Sequence, residues 1–379
     1  MKKRILFVLE SLGGGGAEKV FTTLLRHMDK DQYDVTLCAI VDNGKDVDLV
    51  TPYANFIHIL DNCKNYSGLK KFLYSIKYKL IYEWFPMWLV YRIFVPKGYD
   101  VEVAFVEGFA TKLLAASTNK KAKKVAWVHC DLKEFPWPVN TGVFKSLDEE
   151  KAAYSKYDEV AVVSEASKSH FIEIYGLVDR TRCIYNPIDR RAIEKLASIA
   201  KRDPEDSRFR FVSVGRLTEA KGYDRLIEAC ARLMREGFDF ELWIVGEGSD
   251  RALLEKKVKE SGLTNMVKFL GFQKNPYQYL NQCDCFVCSS RTEGYSLVIA
   301  EAMCVWLPVI ATGCAGPEEI LDGGKYGVMV ENSTDGLILG MKKVLSMQDL
   351  SGLKLLSAER AKSFDLERTM QEVYEVLGA

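Results

Sequence analysis

The chain has 379 residues, with 52 basic and 52 acidic side chains and a formal net charge of zero. This length suggests two or three domains, two of about 190 residues being simplest, and the neutral balance argues against a nucleic-acid partner held by phosphate neutralisation. Hydrophobic content of 48% and charged content of 27% rule out intrinsic disorder.

The amino terminus carries basic residues ahead of an apolar run, Ile5 to Leu9, that stops at Glu10. That run is too short for a secretory signal core and reads as a first buried strand. Apolar runs then alternate with helical segments. RILFVL (4–9) precedes a glycine run and a helix over about 17–28. YDVTLCAI (33–40), FIHIL (56–60), VEVAF (101–105), KKVAWVH (123–129) and EVAVVS (159–164) follow. Asp189 to Ser207 is less regular and reads as a linker. The pattern restarts with FRFVSVG (209–215), helix 222–236, FELWIVG (240–246), helix 249–261, VKFLG (267–271), CFVCS (285–289), helix 297–304 and PVIAT (308–312). Short apolar strands between amphipathic helices predict an α/β fold with two doubly wound parallel sheets. Ligands of such sheets bind beyond the carboxyl ends of strands, which directs attention to the loops after Leu9, His129, Gly215, Gly246 and Ser289.

Residues 64–97 break the pattern. Lys64, Lys70, Lys71, Lys77, Lys79, Arg92 and Lys97 face one acid, Glu83, with Phe72, Tyr74, Tyr78, Tyr82, Trp84, Phe85, Trp88, Tyr91 and Phe94 interleaved. Leu80 to Pro96 is too short and too charged to span a bilayer comfortably. Two readings stand: an interfacial segment lying on anionic lipid, or an amphipathic helix pair packed on the first sheet with solvated lysines.

Ten cysteines with no framework spacing suggest reduced thiols and a cytoplasmic setting. Cys283, Cys285 and Cys288 lack a second pair to complete a zinc site, so small buried strand residues are expected and no metal. GGGGAEK (13–19) fails the dinucleotide fingerprint because Glu18 stands where the last glycine belongs, and Arg251 does the same in GEGSDR. This disfavours a nicotinamide oxidoreductase. The glycines still allow backbone amides to approach an anion or sugar at a helix start. In VGRLTEAKG, Arg216 and Lys221 suit a diphosphate. In SSRTEGYSLVIAEAM, Glu293 and Glu301 lie eight residues apart, and the amides of Ser296 and Leu297 open a helix toward phosphate. An acid such as Glu301 in an apolar helix needs hydrogen-bond partners if it points inward. Cations, a helix start and paired carboxylates together describe a nucleotide-sugar site.

At this point the chain resembles the retaining glycosyltransferases of family four. The resemblance rests on SLGGGGAEKV, WVHCD, YNPID, GRLTEAKG, FLGF, the Glu-x7-Glu element EGYSLVIAE and FDLERTMQEVYEVL. It implies the GT-B architecture: two facing Rossmann-like domains, 1–188 on the acceptor side and 189–362 binding the nucleotide sugar, with helix 363–379 returning to the first. Carried over by residue, Arg216 and Lys221 hold the donor diphosphate, Glu301 the ribose and Glu293 the donor-sugar hydroxyls. Ser296 and Leu297 offer amides to phosphate, Phe272 borders the base, Gly15 and Gly16 approach the donor, and His129 sits near donor sugar and acceptor. Two departures stand out. His129-Cys130-Asp131 replaces a His-Asp pair, leaving Asp131 without an assigned role, and Gly294-Tyr295-Ser296 replaces the family's usual run after Glu293.

The expected activity is that of a hexosyltransferase needing no metal or cofactor. It moves a sugar from a nucleotide sugar, with a UDP-sugar expected and GDP- or ADP-sugars as alternatives, to a lipid-linked or saccharide acceptor in capsule, O-antigen or exopolysaccharide assembly. The 64–97 segment points to peripheral contact with the inner membrane face. The alternatives are a soluble small-molecule acceptor, or a non-catalytic nucleotide-sugar-binding protein of the same fold.

Overall fold

The computed structural model describes residues 2–42, 46–203 and 205–378. The chain divides into two compact units, Met1–Pro187 with Glu367–Ala379, and Ile188–Leu366. Among the described residues the first unit holds seven strands: β1 (Lys3–Leu9), β2 (Tyr33–Val41), β3 (Asn55–Leu60), β4 (Val101–Ala104), β5 (Lys123–Val128), β6 (Glu159–Val162) and β7 (Thr181–Cys183). They lie in the order β3-β2-β1-β4-β5-β6-β7, parallel throughout. The second unit holds β8 (Arg210–Val214), β9 (Glu241–Val245), β10 (Val267–Gly271), β11 (Cys285–Cys288), β12 (Val309–Thr312) and β13 (Val328–Val330), in the order β10-β9-β8-β11-β12-β13. These strands are also parallel.

Both sheets form for the reason the runs predict. Ile5 to Leu9 are fully buried, as expected of a central parallel strand covered on both faces by helices. Phe7, Phe21 and Phe105 form an edge-to-face triad on one face of the first sheet. The chain leaves β1 and β8 on one side and later returns on the other, so each sheet has a reversal of strand order, where loops part and a crevice opens.

Three expectations are refined. The stretch read as a linker contains a helix, Arg190–Ala197, opened by Asp189, whose carboxylate accepts from the Ala192 amide at 3.0 Å. Ile193 and Ala197 enter the core of the second unit. Arg202 pairs with Asp284 at 2.6 Å, so the stretch is a packed edge of that unit; Pro204 lies outside the described residues. Cys285 and Cys288 are buried in β11, whereas Cys283 precedes the strand and packs in the same cluster as Cys288. Cys283 is therefore a half-buried loop residue and not the buried strand residue expected.

The third refinement concerns 64–97, which divides in two. Helix Gly68–Lys79 has no buried residue, and a π-helical turn, Leu80–Trp84, leads toward a helix at Met87–Phe94. Ile81, Val90, Tyr91 and Val95 enter the first unit's core, and the Tyr91 hydroxyl donates to buried Glu102 at 2.6 Å. The inner half is thus packed on the sheet, whereas the outer half leans on that core through Tyr74 and leaves its other face to solvent. Among the described residues no helix is long and apolar enough to cross a membrane.

The last helix, Leu366–Val376, joins the first unit. Its Tyr374 ring stacks on Tyr33 at 5.3 Å, and its hydroxyl bonds the backbone at His27 and Asp29. Met370, Val373, Val376 and Leu377 are buried there. We expect Leu377→Ala to cost about 2–5 kcal/mol, the usual penalty for truncating a buried leucine, read as a lower urea midpoint.

Candidate active site

In the second unit the loop after β8 carries Arg216 and ends in a 3₁₀ turn, Glu219–Lys221. Gly222 then adopts φ 64°. A Cβ at Gly222 would lie 2.1 Å from the Ser289 carbonyl oxygen, so only glycine lets this loop rest on the loop after β11. The two loops are sewn together. The Arg291 amide donates to the Ala220 carbonyl at 2.7 Å, and the Ser289 hydroxyl to the Lys221 carbonyl at 2.8 Å. Arg291 and Asp224 form a two-pronged pair with both bonds at 2.8 Å. The Thr312 hydroxyl donates to the Ser290 carbonyl at 2.6 Å. A similar approach holds the loop after β9, where a Cβ at Gly246 would lie 1.9 Å from the Gly215 carbonyl oxygen.

These contacts bring Lys221 and Glu293 together at 2.6 Å, with side-chain exposures of 29% and 10%. The Ser290 hydroxyl donates to the same carboxylate oxygen at 2.7 Å. Burial disfavours the lysine charge, but Glu293 outweighs it and the Lys221 pKa is held above its ordinary value. Lys221 therefore stays charged. Glu301, 3% exposed, receives the Tyr277 hydroxyl at 3.2 Å. This is the partner that an acid in an apolar helix requires.

The remaining expected residues are less tightly held. Arg216 is exposed, and among the described residues nothing pairs with its guanidinium. Phe272 is also exposed. Ser296 is buried and caps helix Leu297–Cys304 without a side-chain bond. The Leu297 amide departs from expectation, because it donates to the Tyr295 carbonyl at 3.0 Å and is already engaged. The backbone at Ser296 folds too tightly to leave that amide facing outward.

His129 and the glycine run belong to the first unit. Gly15 caps helix Gly16–His27 in an extended conformation, and Gly14 has φ 81°. His129 follows β5, its amide donating to Glu107 at 3.0 Å. Its ring lies 5.0 Å from Phe105 and nearly parallel to Trp127 at 6.5 Å. Nε2 is buried and has no partner among the described residues. Burial pushes the His129 pKa down against the opposing influence of Glu107 and the Phe105 carbonyl. The imidazole is therefore neutral at pH 7, with Nε2 able to accept a hydrogen bond once the other ring nitrogen donates to Phe105. Asp131 is buried and accepts from the Lys133 amide at 3.0 Å and from His170 Nδ1 at 2.7 Å. It orders the turn after His129.

Ser289, Ser290, Arg291, Asp224, Thr312 and Tyr277 escape a reading of the sequence, because none has a distinctive spacing. Gly222 gives a partial signal as a glycine directly after a charged turn.

The family 4 glycosyltransferase model matches residues 14–191, and the group 1 glycosyl transferase model matches residues 195–357. Among similar proteins is a Campylobacter jejuni enzyme named N-acetylgalactosamine-N,N'-diacetylbacillosaminyl-diphospho-undecaprenol 4-alpha-N-acetylgalactosaminyltransferase, 28% identical across all of both chains. An uncharacterized glycosyltransferase of Methanocaldococcus jannaschii is 29% identical over 58% of this chain, a match spanning 63% of that relative's length. Anabaena HepE, solved with UDP and glucose, superposes with a TM-score of 0.75 at 22% identity over 99% of both chains. The two parallel-sheet domains and these likenesses define a glycosyltransferase of the GT-B fold class. The chain belongs to the family 4 and group 1 glycosyltransferases, whose models it matches in succession.

Because Gly222 combines a left-handed backbone with a contact to main chain, Gly222→Ala should displace Lys221. We expect the Lys221–Glu293 contact to be lost, read as a lower thermal midpoint with little change in far-UV circular dichroism.

Proposed function

We propose that the chain is a retaining hexosyltransferase that moves a sugar from a nucleotide sugar, with UDP as the nucleotide, to a lipid-linked or glycan acceptor in bacterial surface-polysaccharide assembly. The observation that carries this reading is the Lys221–Glu293 pair beside the buried Ser296 cap and the Glu301–Tyr277 contact. The second unit binds the donor. Arg216 and Lys221 take the diphosphate with the Ser296 amide, Glu301 the ribose, Glu293 the sugar hydroxyls, and Phe272 borders the base. Leu297 contributes through the start of its helix. From the first unit, Gly15 and Gly16 approach the donor, and His129 Nε2 accepts a sugar or acceptor hydroxyl.

In the transfer, the bond between the anomeric carbon and the diphosphate oxygen breaks. A new bond to the acceptor hydroxyl oxygen forms on the same face, and the hydroxyl proton passes to the departing diphosphate. Arg216 and Lys221 neutralise the charge that develops on it, so no divalent cation is assigned to this step. The diphospho-undecaprenol acceptor for which the Campylobacter relative is named, and a 30% identity over 187 residues with an Erwinia amylovora amylovoran biosynthesis glycosyltransferase, support an acceptor of this class.

The acceptor side is assigned to the inner membrane face, reached from the cytoplasm. Helix Gly68–Lys79 is supported as an interfacial element by exposed Leu69, Phe72 and Leu73 at i, i+3 and i+4 spacing, flanked by Lys70, Lys71 and Lys77. Trp84 and Trp88 are exposed in the turn and helix that follow. Apolar residues among lysines are complementary to anionic lipid.

Two experiments test the reading. Arg216→Ala and Lys221→Ala should each lower nucleotide release from a UDP-sugar on the order of a hundredfold without loss of fold; near-normal turnover would overturn the donor assignment. The wild type should co-float with vesicles of phosphatidylglycerol but not with neutral phosphatidylcholine, and Phe72→Glu should abolish flotation. Failure to float with either removes the membrane assignment.

A further inference from the structure

Glu10 directly follows β1, at the reversal of strand order between β2 and β4. The loops at such a reversal open a crevice that takes ligands. Glu10 is exposed there, and its Oε1 receives the Tyr82 hydroxyl at 2.6 Å. Among the described residues no lysine or arginine pairs with it. Tyr82 arrives from the insertion between β3 and β4, in the π-helical turn Leu80–Trp84. Such turns recur at functional sites because they re-aim side chains within a helix.

The Tyr82 ring lies 4.3 Å from Phe109, the first residue of the helix after β4, and stacks on Tyr78 at 4.4 Å with 23° between the planes. Three chain segments distant in sequence thus meet around Tyr82. The outer edge of the Glu10 carboxylate meets solvent while protein encloses the rest. This loss of water holds the Glu10 pKa above the ordinary carboxylate range despite the opposing bond from Tyr82. The Tyr82 bond ties the insertion to the end of β1 through Oε1, while the Glu10 carbonyl serves the sheet by receiving the Val41 amide at 2.9 Å.

We propose that Glu10 and Tyr82 form a site for the acceptor, in which the Glu10 carboxylate binds hydroxyl groups of a terminal sugar ring. Tyr82 is a positioning residue, fixing the carboxylate through its hydroxyl. The exposed ring of Tyr78 offers an apolar surface to the C–H face of that sugar. A pyranose presents just these two surfaces, hydroxyls at its rim and C–H bonds on its face, and pockets combining aromatic walls with a few polar groups select for both. The inference deepens the reading above by naming what the first unit recognises: a hydroxylated saccharide end rather than a purely apolar or amine acceptor.

The test uses the full chain and a panel of methyl hexopyranosides and methyl N-acetylhexosaminides as probes, titrated by saturation-transfer NMR. A parallel titration with UDP reports on the second unit. At least one glycoside should bind the wild type, and Glu10→Ala should weaken it about tenfold, the loss of one charge-assisted hydrogen bond. Tyr82→Phe, which keeps the ring and removes the hydroxyl, should weaken it less, and UDP affinity should be unchanged in both variants. The proposal is overturned if no glycoside binds the wild type, or if one binds all three proteins alike. If UDP fails to bind the wild type, the donor reading falls, while the glycoside arm still decides the role of Glu10.

Discussion

Lys221 and Glu293 come from loops 72 positions apart, and they meet because the main chain at Gly222 can lie directly on the Ser289 carbonyl. Any side chain there forces the loops apart. Once they touch, the Arg291–Asp224 pair and the serine and threonine hydroxyls lock them. A buried cation alone is expensive, as is a buried carboxylate. Together each offsets the other, and the Ser290 hydroxyl bonds the same carboxylate. The polar chemistry of the second unit depends on this backbone contact.

The first unit solves a different problem. Glu107, held by the His129 amide and the Trp137 indole at 3.3 Å, fixes the turn after β5 from below. His129 is left neutral, with one ring nitrogen open. Here aromatic packing and burial set the protonation state, whereas in the second unit an ion pair does. Burial leaves a hydrogen-bond acceptor in the first unit, and an ion pair organises the second.

Much of this was legible in the sequence. Buried parallel strands such as Ile5–Leu9 are unbroken apolar runs, and no other element produces them at that length between amphipathic helices. β7 and β13, with three residues each, are too short to leave such a run. Helix Arg190–Ala197 was obscured because it fully buries only Ile193 and Ala197, with four charged residues among its eight. At the site, Arg216, Lys221, Glu293 and Glu301 could be read because charge in a loop or an apolar helix is conspicuous. The residues that hold them could not. Ser290 and Thr312 act through single hydroxyls, Tyr277 through one bond across space, and the Leu297 amide was lost to a local turn that residue types do not specify. Glu10 shows the same limit, because its partner lies 72 positions away.

The last helix has a consequence for how the protein is made. Tyr374 stacks on Tyr33, and Met370, Val373 and Leu377 fill the first unit. On the ribosome, β1 to β7 emerge long before that helix exists, and the whole second unit must be synthesised in between. Through that interval the nascent first lobe carries an uncovered apolar strip around Tyr33. The second lobe, continuous in sequence, can finish folding before the first does. The first lobe thus emerges before the second, yet its apolar surface is completed only after the second has been made.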